Sequence, residues 1–236
     1  MKLLDKIRSF YRGKSTVREV SYSPSSVFDS NKLYIIENGI EKRVSKFDIP
    51  GLSFVINGKN NTVRIEKPIK FSGSCLHIDS NNADVHIESC NTWGLNNCYI
   101  RIMYGGGQKL KIGKDTTCWE LTLLLDGSSS CFIGQDCMFG GSVMLLPSDG
   151  HSIIDPNTQE LLNADGQIFI GDHVWIGTRS IICKNAHIGN GSVIAAGSVV
   201  TKINVDKNSI IAGVPAKIVR TGRTWNRLNP YFYSPT

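Results

Sequence analysis

The chain has 236 residues, 41% of them hydrophobic, which is enough for one medium-sized domain or for a repeat array with short appendages. The formal net charge of +6 suits an anionic substrate or cofactor, and no basic segment interleaved with aromatic residues indicates a nucleic-acid site. Seven cysteines without a C-x-x-C spacing, and no recognisable secretion signal, argue against a disulfide framework and predict a reducing cytoplasm.

The N-terminal residues 1–50 are expected to form a helix and a capping segment. Met1 to Lys14 carries apolar residues at helical spacing, interrupted by charges. It predicts a short amphipathic helix that packs on a subunit, with peripheral contact to an anionic membrane as the alternative. The remainder is expected to cover the open end of the fold, because a terminal coil exposes unpaired strand edges.

A six-residue repeat is the clearest pattern in the chain. Its aliphatic positions are Ile170, Ile176, Ile182, Ile188, Ile194 and Val200. A period of six matches neither the 3.6 of a helix nor the continuous alternation of a long strand, so it predicts short strands separated by turns. Since one repeat cannot bury its own aliphatic side chain, stacked coils must share a core.

The repeat continues upstream in a less regular form. Ile133-Gly134 and Phe139-Gly140 have the same six-residue spacing. Further upstream, pairs of apolar residues alternate as in strands, beginning with Val63 and Ile65. We therefore expect one all-β solenoid over residues 51–220. Residues 221–236 form a C-terminal tail whose aromatic and basic residues either cover a cofactor cleft or anchor the chain end.

The regular phase breaks at residues 152–167, where turn-forming residues predict an inserted loop. A long loop in a regular scaffold is typical of a functional site. His151 stands at the mouth of this loop, and an imidazole there can accept a proton from a hydroxyl near neutral pH. Taken alone, however, a loop histidine is more often simply solvated.

Trp175 precedes an inward aliphatic residue and should therefore point away from the core. A large aromatic side chain in that position is expected to pack against a ligand or another subunit. Val193 follows one coil later on the same face, and Ile181 and Val199 form a second outward pair. Two outward apolar stacks predict that faces of the solenoid meet neighbouring subunits.

The segment from His151 to Arg220 resembles the bacterial hexapeptide-repeat O-acetyltransferases, which modify galactosides, maltose and the sugars of capsules and lipopolysaccharides. Those enzymes carry a catalytic histidine followed, at this separation, by a tryptophan in a V-W-I-G motif, here Val174 to Gly177. The resemblance implies a left-handed parallel β-helix with three hexapeptides in each coil. It also implies acetyl-CoA as cosubstrate, His151 as general base and Trp175 beside the thioester.

The resemblance further implies a coenzyme A groove between the subunits of a homotrimer. The positions that match the groove of the family are Trp175, Thr178, Ala196, Thr201, Lys202 and Arg220. Small residues would admit the pantetheine arm, and Lys202 and Arg220 would pair with the nucleotide phosphates. The group that orients His151 stays open among Asp149, Asp155 and a backbone carbonyl.

The predicted function is therefore transfer of an acetyl group from acetyl-CoA to a hydroxyl of a sugar, such as a bacterial surface polysaccharide or its precursor. Alternatives are N-acetylation of an amino sugar and a non-catalytic sugar-binding scaffold. A zinc carbonic anhydrase of similar architecture needs converging histidines, two of them closely spaced. The five histidines have no such pair, so we expect no metal and interpret His173 and His187 as exposed solenoid residues.

Overall fold

The computed structural model describes residues 30–234, and its strands, numbered in chain order, form three sheets. Sheet A contains β1 (Lys32–Glu37), β2 (Ile40–Val44), β4 (Thr62–Lys67), β7 (Asp84–Ile87), β10 (Lys109–Ile112), β13 (Ser130–Ile133), β16 (Gln167–Ile170), β19 (Ala186–Ile188) and β22 (Ile203–Val205). Sheet B contains β3 (Leu52–Ile56), β6 (Ser74–Asn81), β9 (Cys98–Gly106), β12 (Leu121–Asp126), β15 (Val143–Leu146), β18 (Ile181–Cys183) and β21 (Val199–Val200). Sheet C contains β5 (Phe71–Ser72), β8 (Leu95–Asn96), β11 (Thr117–Cys118), β14 (Met138–Phe139), β17 (Trp175–Ile176), β20 (Val193–Ile194), β23 (Ser209–Gly213) and β24 (Ala216–Thr221).

The chain passes from sheet A to sheet C to sheet B and then returns to sheet A, so that every third strand lies beside its predecessor. These neighbouring strands pair in parallel, as β13 does with β16 and β16 with β19. The result is a parallel β-helix with three faces. We refer to the edges between faces as the A/C, C/B and B/A corners.

The predicted repeat forms the core. All six aliphatic positions from Ile170 to Val200 are fully buried, and the upstream positions Ile133 and Phe139 are nearly so. Small residues turn the chain at the corners, where the hydroxyl of Ser180 donates to the backbone oxygen of Ala195 at 3.1 Å. These bonds satisfy polar groups that the core would otherwise leave unpaired.

The glycine after an aliphatic position allows consecutive coils to approach closely. A Cβ added at Gly177 would lie 2.5 Å from the backbone nitrogen of Ala196 and 2.9 Å from the backbone oxygen of Ile194. Because both obstacles are backbone atoms of the next coil, a side chain could be accommodated only by moving the coils apart.

The β-helix begins upstream of residue 51, where the sequence pattern places its start. β1 pairs in parallel with β4, and Leu33 and Ile35 extend the core by one more layer. The hexapeptide pattern does not show this layer because Leu33 is not followed by the small residues that mark later corners. β2 then pairs antiparallel with β1 and forms the edge strand of sheet A at this end. The predicted helix at Met1 to Lys14 lies outside the described residues.

The other end of the β-helix is closed by an antiparallel pair. β23 turns at Gly213 into β24, which becomes the outer strand of sheet C. Residues after Thr221 return along the A/C corner toward earlier coils, and the backbone nitrogen of Arg223 donates to the oxygen of Asn208 at 2.8 Å. No helix in residues 30–234 has the length and apolar character needed to cross a membrane.

Candidate active site

His151 lies on the loop that joins β15 to β16 at the B/A corner. The loop folds on itself through a bridge between Ile154 and Leu161. The amide of Asn163 donates to the backbone oxygen of His151 at 2.8 Å, which fixes the backbone there. The imidazole is exposed and has no hydrogen-bond partner among residues 30–234, so it is free to meet a substrate.

Lys184, one coil further on, ties the base of this loop to the solenoid. Its ammonium group donates to Asp149 at 2.6 Å and to the backbone oxygens of Asn163 and Ala164 at 3.1 and 3.0 Å. Hydrogen bonds from Lys184 and Asn163 lower the pKa of Asp149. The carboxylate of Asp149 therefore holds the loop in place through these bonds.

The carboxylate of Asp155, the second candidate for orienting His151, also has other hydrogen-bond partners. Its carboxylate accepts the backbone N–H groups of Asn157 at 2.7 Å and Thr158 at 3.0 Å. These bonds lower the pKa of Asp155 and build the turn at the loop tip. In this structure neither of the two carboxylates suggested by the sequence contacts the imidazole.

Trp175 lies on β17 in sheet C and points outward, as predicted, with 39% of its surface exposed. Its register neighbours are Met138 on the preceding coil and Val193 on the following coil. On sheet B, Ile181 lies beside Val199 in the same manner. The two outward apolar pairs read from the sequence are thus confirmed.

The residues predicted to bind coenzyme A fall into two groups. Thr178 and Ala196 are exposed after β17 and β20 at the C/B corner, where the backbone nitrogen of Gly197 donates to the oxygen of Thr178 at 2.9 Å. Arg220 lies on β24 at the edge of the same sheet. Thr201 and Lys202 instead connect β21 to β22 at the B/A corner, on the same corner as His151.

The B/A corner lies opposite sheet C in a three-sided prism. His151, Thr201 and Lys202 therefore lie on the far side of the β-helix from Trp175, and Thr178 lies at the other end of sheet B from them. One chain does not bring the imidazole and the indole together.

A groove of about 280 Å³ runs along sheet C beside Trp175. We call it the aromatic groove, and it is lined by Thr92, Trp93, Asn96, Thr117, Cys118, Trp119, Met138, Phe139, Gly140, Trp175 and Arg227. Trp93 and Trp119 are 74% and 65% exposed. Neither tryptophan could be predicted from the sequence, because their coils are too irregular for an outward position to be recognised.

The C-terminal tail packs over the A/C corner beside this groove. Trp225 is buried, stacks on the His173 ring with 4.4 Å between centroids, and donates from its indole nitrogen to the His173 backbone oxygen at 2.8 Å. His173 Nδ1 lies 2.6 Å from a carboxylate oxygen of Asp136. The prediction that His173 is merely an exposed solenoid residue is wrong, because the tail covers its ring.

Arg227 fastens the tail to earlier coils and lines the aromatic groove. Its guanidinium donates to Asp136 at 2.7 Å, to the hydroxyl of Thr117 at 3.0 Å, and to the backbone oxygens of Asp115 and Cys137 at 3.1 and 3.0 Å. A planar group with this many bonds is held in one orientation. The tail therefore anchors the chain end and shapes one wall of the groove.

The contact between Asp136 and the tail should depend on pH. Burial raises the pKa of Asp136, but hydrogen bonds from Arg227 and His173 outweigh burial and hold the pKa below its usual range. Since the unfolded pKa is about 3.9, the ionised carboxylate stabilises the docked tail above about pH 4, and this stabilisation is lost as pH falls through the lower folded value. Asp136→Asn should imitate that loss at neutral pH.

Trypsin cleavage at Arg223 and Arg227, followed by mass spectrometry, measures tail docking. We expect severalfold faster loss of the C-terminal peptide from Asp136→Asn than from the parent chain. Asp115→Asn is the matched control, because Asp115 holds Arg227 through its backbone oxygen only. Equal cleavage rates in the parent and Asp136→Asn would show that this carboxylate does not hold the tail.

Comparison with known proteins agrees with this architecture. The family model for the bacterial transferase hexapeptide (six repeats) matches residues 168–202. The polysialic acid O-acetyltransferase of Neisseria meningitidis is 31% identical over 176 residues, which cover 72% of this chain and 77% of that protein. The chain belongs to the hexapeptide-repeat O-acetyltransferase family. The family and the left-handed parallel β-helix predicted from sequence are thereby confirmed.

Two further members of this O-acetyltransferase family extend the comparison. The polysialic acid O-acetyltransferase of Escherichia coli O1:K1 / APEC is 33% identical over 121 residues, 51% of this chain, and the match spans only 39% of the length of that relative. Among solved structures, the polySia-specific acetyltransferase NeuO is 28% identical with a TM-score of 0.52, covering 86% of this chain and 91% of its own.

Proposed function

We propose that this protein transfers an acetyl group from acetyl-CoA to a hydroxyl group of a sugar, in a bacterial surface polysaccharide or its precursor. The observation that carries the proposal is the unpaired imidazole of His151, presented on an anchored loop of an O-acetyltransferase fold. Relatives named for polysialic acid support a carbohydrate acceptor. All seven cysteines are free, which fits the cytoplasm as the compartment.

The proposed site is formed by two chains. Because His151 and Trp175 lie on opposite sides of one β-helix, a site that contains both needs His151 of one copy and Trp175 of a neighbouring copy. A homotrimer has three equivalent interfaces between neighbouring copies, so it would form three such sites. The outward apolar side chains of Ile181 and Val199 provide surface for such a contact.

Two chains also explain how the predicted cofactor residues cooperate. Thr201 and Lys202 of one copy would face Thr178 and Ala196 of the next, and coenzyme A would lie between them. The ammonium group of Lys202 suits a nucleotide phosphate. Arg220 is exposed on β24, the edge strand of sheet C, and the aromatic groove runs along the same sheet. The aromatic groove continues from Trp175 toward earlier coils and offers room for the acceptor.

The proposed chemistry is direct transfer. His151 accepts the proton of the sugar hydroxyl while the hydroxyl oxygen forms a bond to the thioester carbonyl carbon. The carbon–sulfur bond then breaks, and the imidazolium returns the proton to the departing thiolate. Products are an acetyl ester and free coenzyme A, and no acyl-enzyme is required.

The test is turnover of acetyl-CoA with sialic acid oligomers, p-nitrophenyl galactoside and glucosamine as acceptors. Release of the coenzyme A thiol should depend on the acceptor, and NMR should locate the acetyl group on an oxygen. Hydroxylamine cleaves an O-acetyl ester and leaves an amide intact, so it separates O-transfer from N-transfer. Binding of a sugar without turnover would instead favour a non-catalytic scaffold.

A further inference from the structure

The carboxylate of Asp126 lies beside the His151 loop and has no hydrogen-bond partner among residues 30–234. It ends β12 in sheet B, one coil before the loop. Its Oδ1 atom is covered by protein and accepts no hydrogen bond from the described part of the chain. Buried carboxylate oxygens in folded proteins are almost always paired, so this one calls for a functional explanation.

The other oxygen of Asp126 faces the loop. Oδ2 lies 3.8 Å from the point that a Cβ on Gly150 would occupy, and Gly150 immediately precedes His151. Gly150 has a φ of +74°, a conformation that favours glycine. The Asp126 carboxylate thus lies within van der Waals reach of the residue that precedes His151.

The electrostatics of Asp126 point in the same direction. Burial raises its pKa, the negative charge of Asp165 raises it further, and the positive charges of Arg101 and His151 act in the opposite direction. Arg101 is already paired with Asp79 at 3.1 Å. Among these groups, His151 is the one whose side chain has no hydrogen bond within residues 30–234.

A third aspartate near the loop is already bonded. Asp165 accepts the hydroxyl of Ser148 at 2.7 Å and the backbone N–H of Ser128 at 3.0 Å. Asp149 and Asp155 hold the loop and its tip, as described above. Of these four aspartates, Asp126 is the one whose carboxylate has no hydrogen-bond partner within residues 30–234.

We infer that Asp126 is the positioning residue of His151, accepting a hydrogen bond from one ring nitrogen so that the other faces the acceptor hydroxyl unprotonated. This inference rests on the proposed function. The hydrogen bond selects the tautomer that can act as a base and stabilises the imidazolium that forms during transfer. The proton travels from the hydroxyl to His151 and on to the thiolate, and Asp126 stays ionised throughout.

The kinetic test compares Asp126→Asn with Asp155→Asn, which makes the same chemical change at the loop tip. We expect Asp126→Asn to lower kcat about 100-fold or more while the KM values for acetyl-CoA and a sialic acid oligomer stay within about threefold. Asp155→Asn should leave kcat nearly unchanged. Unaltered kcat in Asp126→Asn would overturn the inference.

A double variant separates positioning from a general effect on structure. If Asp126 acts through His151, adding Asp126→Asn to His151→Ala should cause no further loss of activity, because residues that work as a unit are not additive. If Asp126→Asn lowered activity by the same factor in the parent chain and in the His151→Ala variant, the role of Asp126 would be merely structural and the inference would be contradicted.

A spectroscopic measurement keeps the inference testable if no acceptor is turned over. Nitrogen-15 NMR of the imidazole, assigned with His151→Ala, reports which ring nitrogen carries the proton. One tautomer should predominate in the parent chain and a mixture should appear in Asp126→Asn. An identical spectrum in both would overturn the role of Asp126, whereas failure of turnover alone would count against the proposed function.

Discussion

Replacing His151 by alanine should lower acetyl-CoA turnover with a sugar acceptor by about 100- to 10,000-fold. The physical reason is that a hydroxyl becomes an effective nucleophile only as its proton is removed, and the ring of His151 is the unoccupied base on the loop. Coenzyme A affinity, measured by calorimetry, should change little because the imidazole acts on the acceptor.

The matched control for this experiment is His187→Ala. His187 is exposed on β19 in sheet A and packs edge-on against Phe169. Its removal should leave turnover within about twofold, as for most surface substitutions. Undiminished turnover in His151→Ala would end the assignment of a general base at this position.

Truncating a buried side chain of the core should strongly reduce the free energy of unfolding. Two adjacent isoleucines, one buried and one pointing outward, allow this effect to be compared within one strand. Ile182 on β18 is fully buried, whereas its neighbour Ile181 points outward and is half-buried. Ile182→Ala should reduce the free energy of unfolding by about 2–5 kcal/mol, since it leaves a cavity between stacked coils. Ile181→Ala should reduce it much less in the isolated chain.

Denaturant unfolding of both variants at equal protein concentration measures this difference. In the proposed trimer, Ile181→Ala should also weaken association, which sedimentation at several concentrations would detect. Equal destabilisation by the two variants would contradict the inward and outward assignment of β18.

The sequence predicted those parts of the fold that repeat. Ile176 and Ile182 follow one spacing because each coil must place an aliphatic side chain into the same core, and Gly177 permits the close approach of coils. β1 escaped prediction, because Leu33 joins that core without the small residues that mark later corners. Local pattern is informative only where the coils are regular.

The candidate site was predicted in part, for a related reason. His151 and Trp175 stand next to regular coils, so the loop and the outward position could be read directly. Arg227 could not be placed, since its partners Asp136 and Thr117 are far away in sequence and no periodicity links them. Asp126 was missed because its availability depends on which neighbouring carboxylates are already bonded.

In the proposed active site, His151 and Trp175 meet only between chains. Mixing His151→Ala chains with Trp175→Ala chains, by joint refolding or coexpression, tests it directly. Each variant alone should be nearly inactive, whereas an equal mixture should regain about a quarter of the parent activity, because some contacts then pair an intact His151 with an intact Trp175. A mixture as inactive as its components would contradict a shared site.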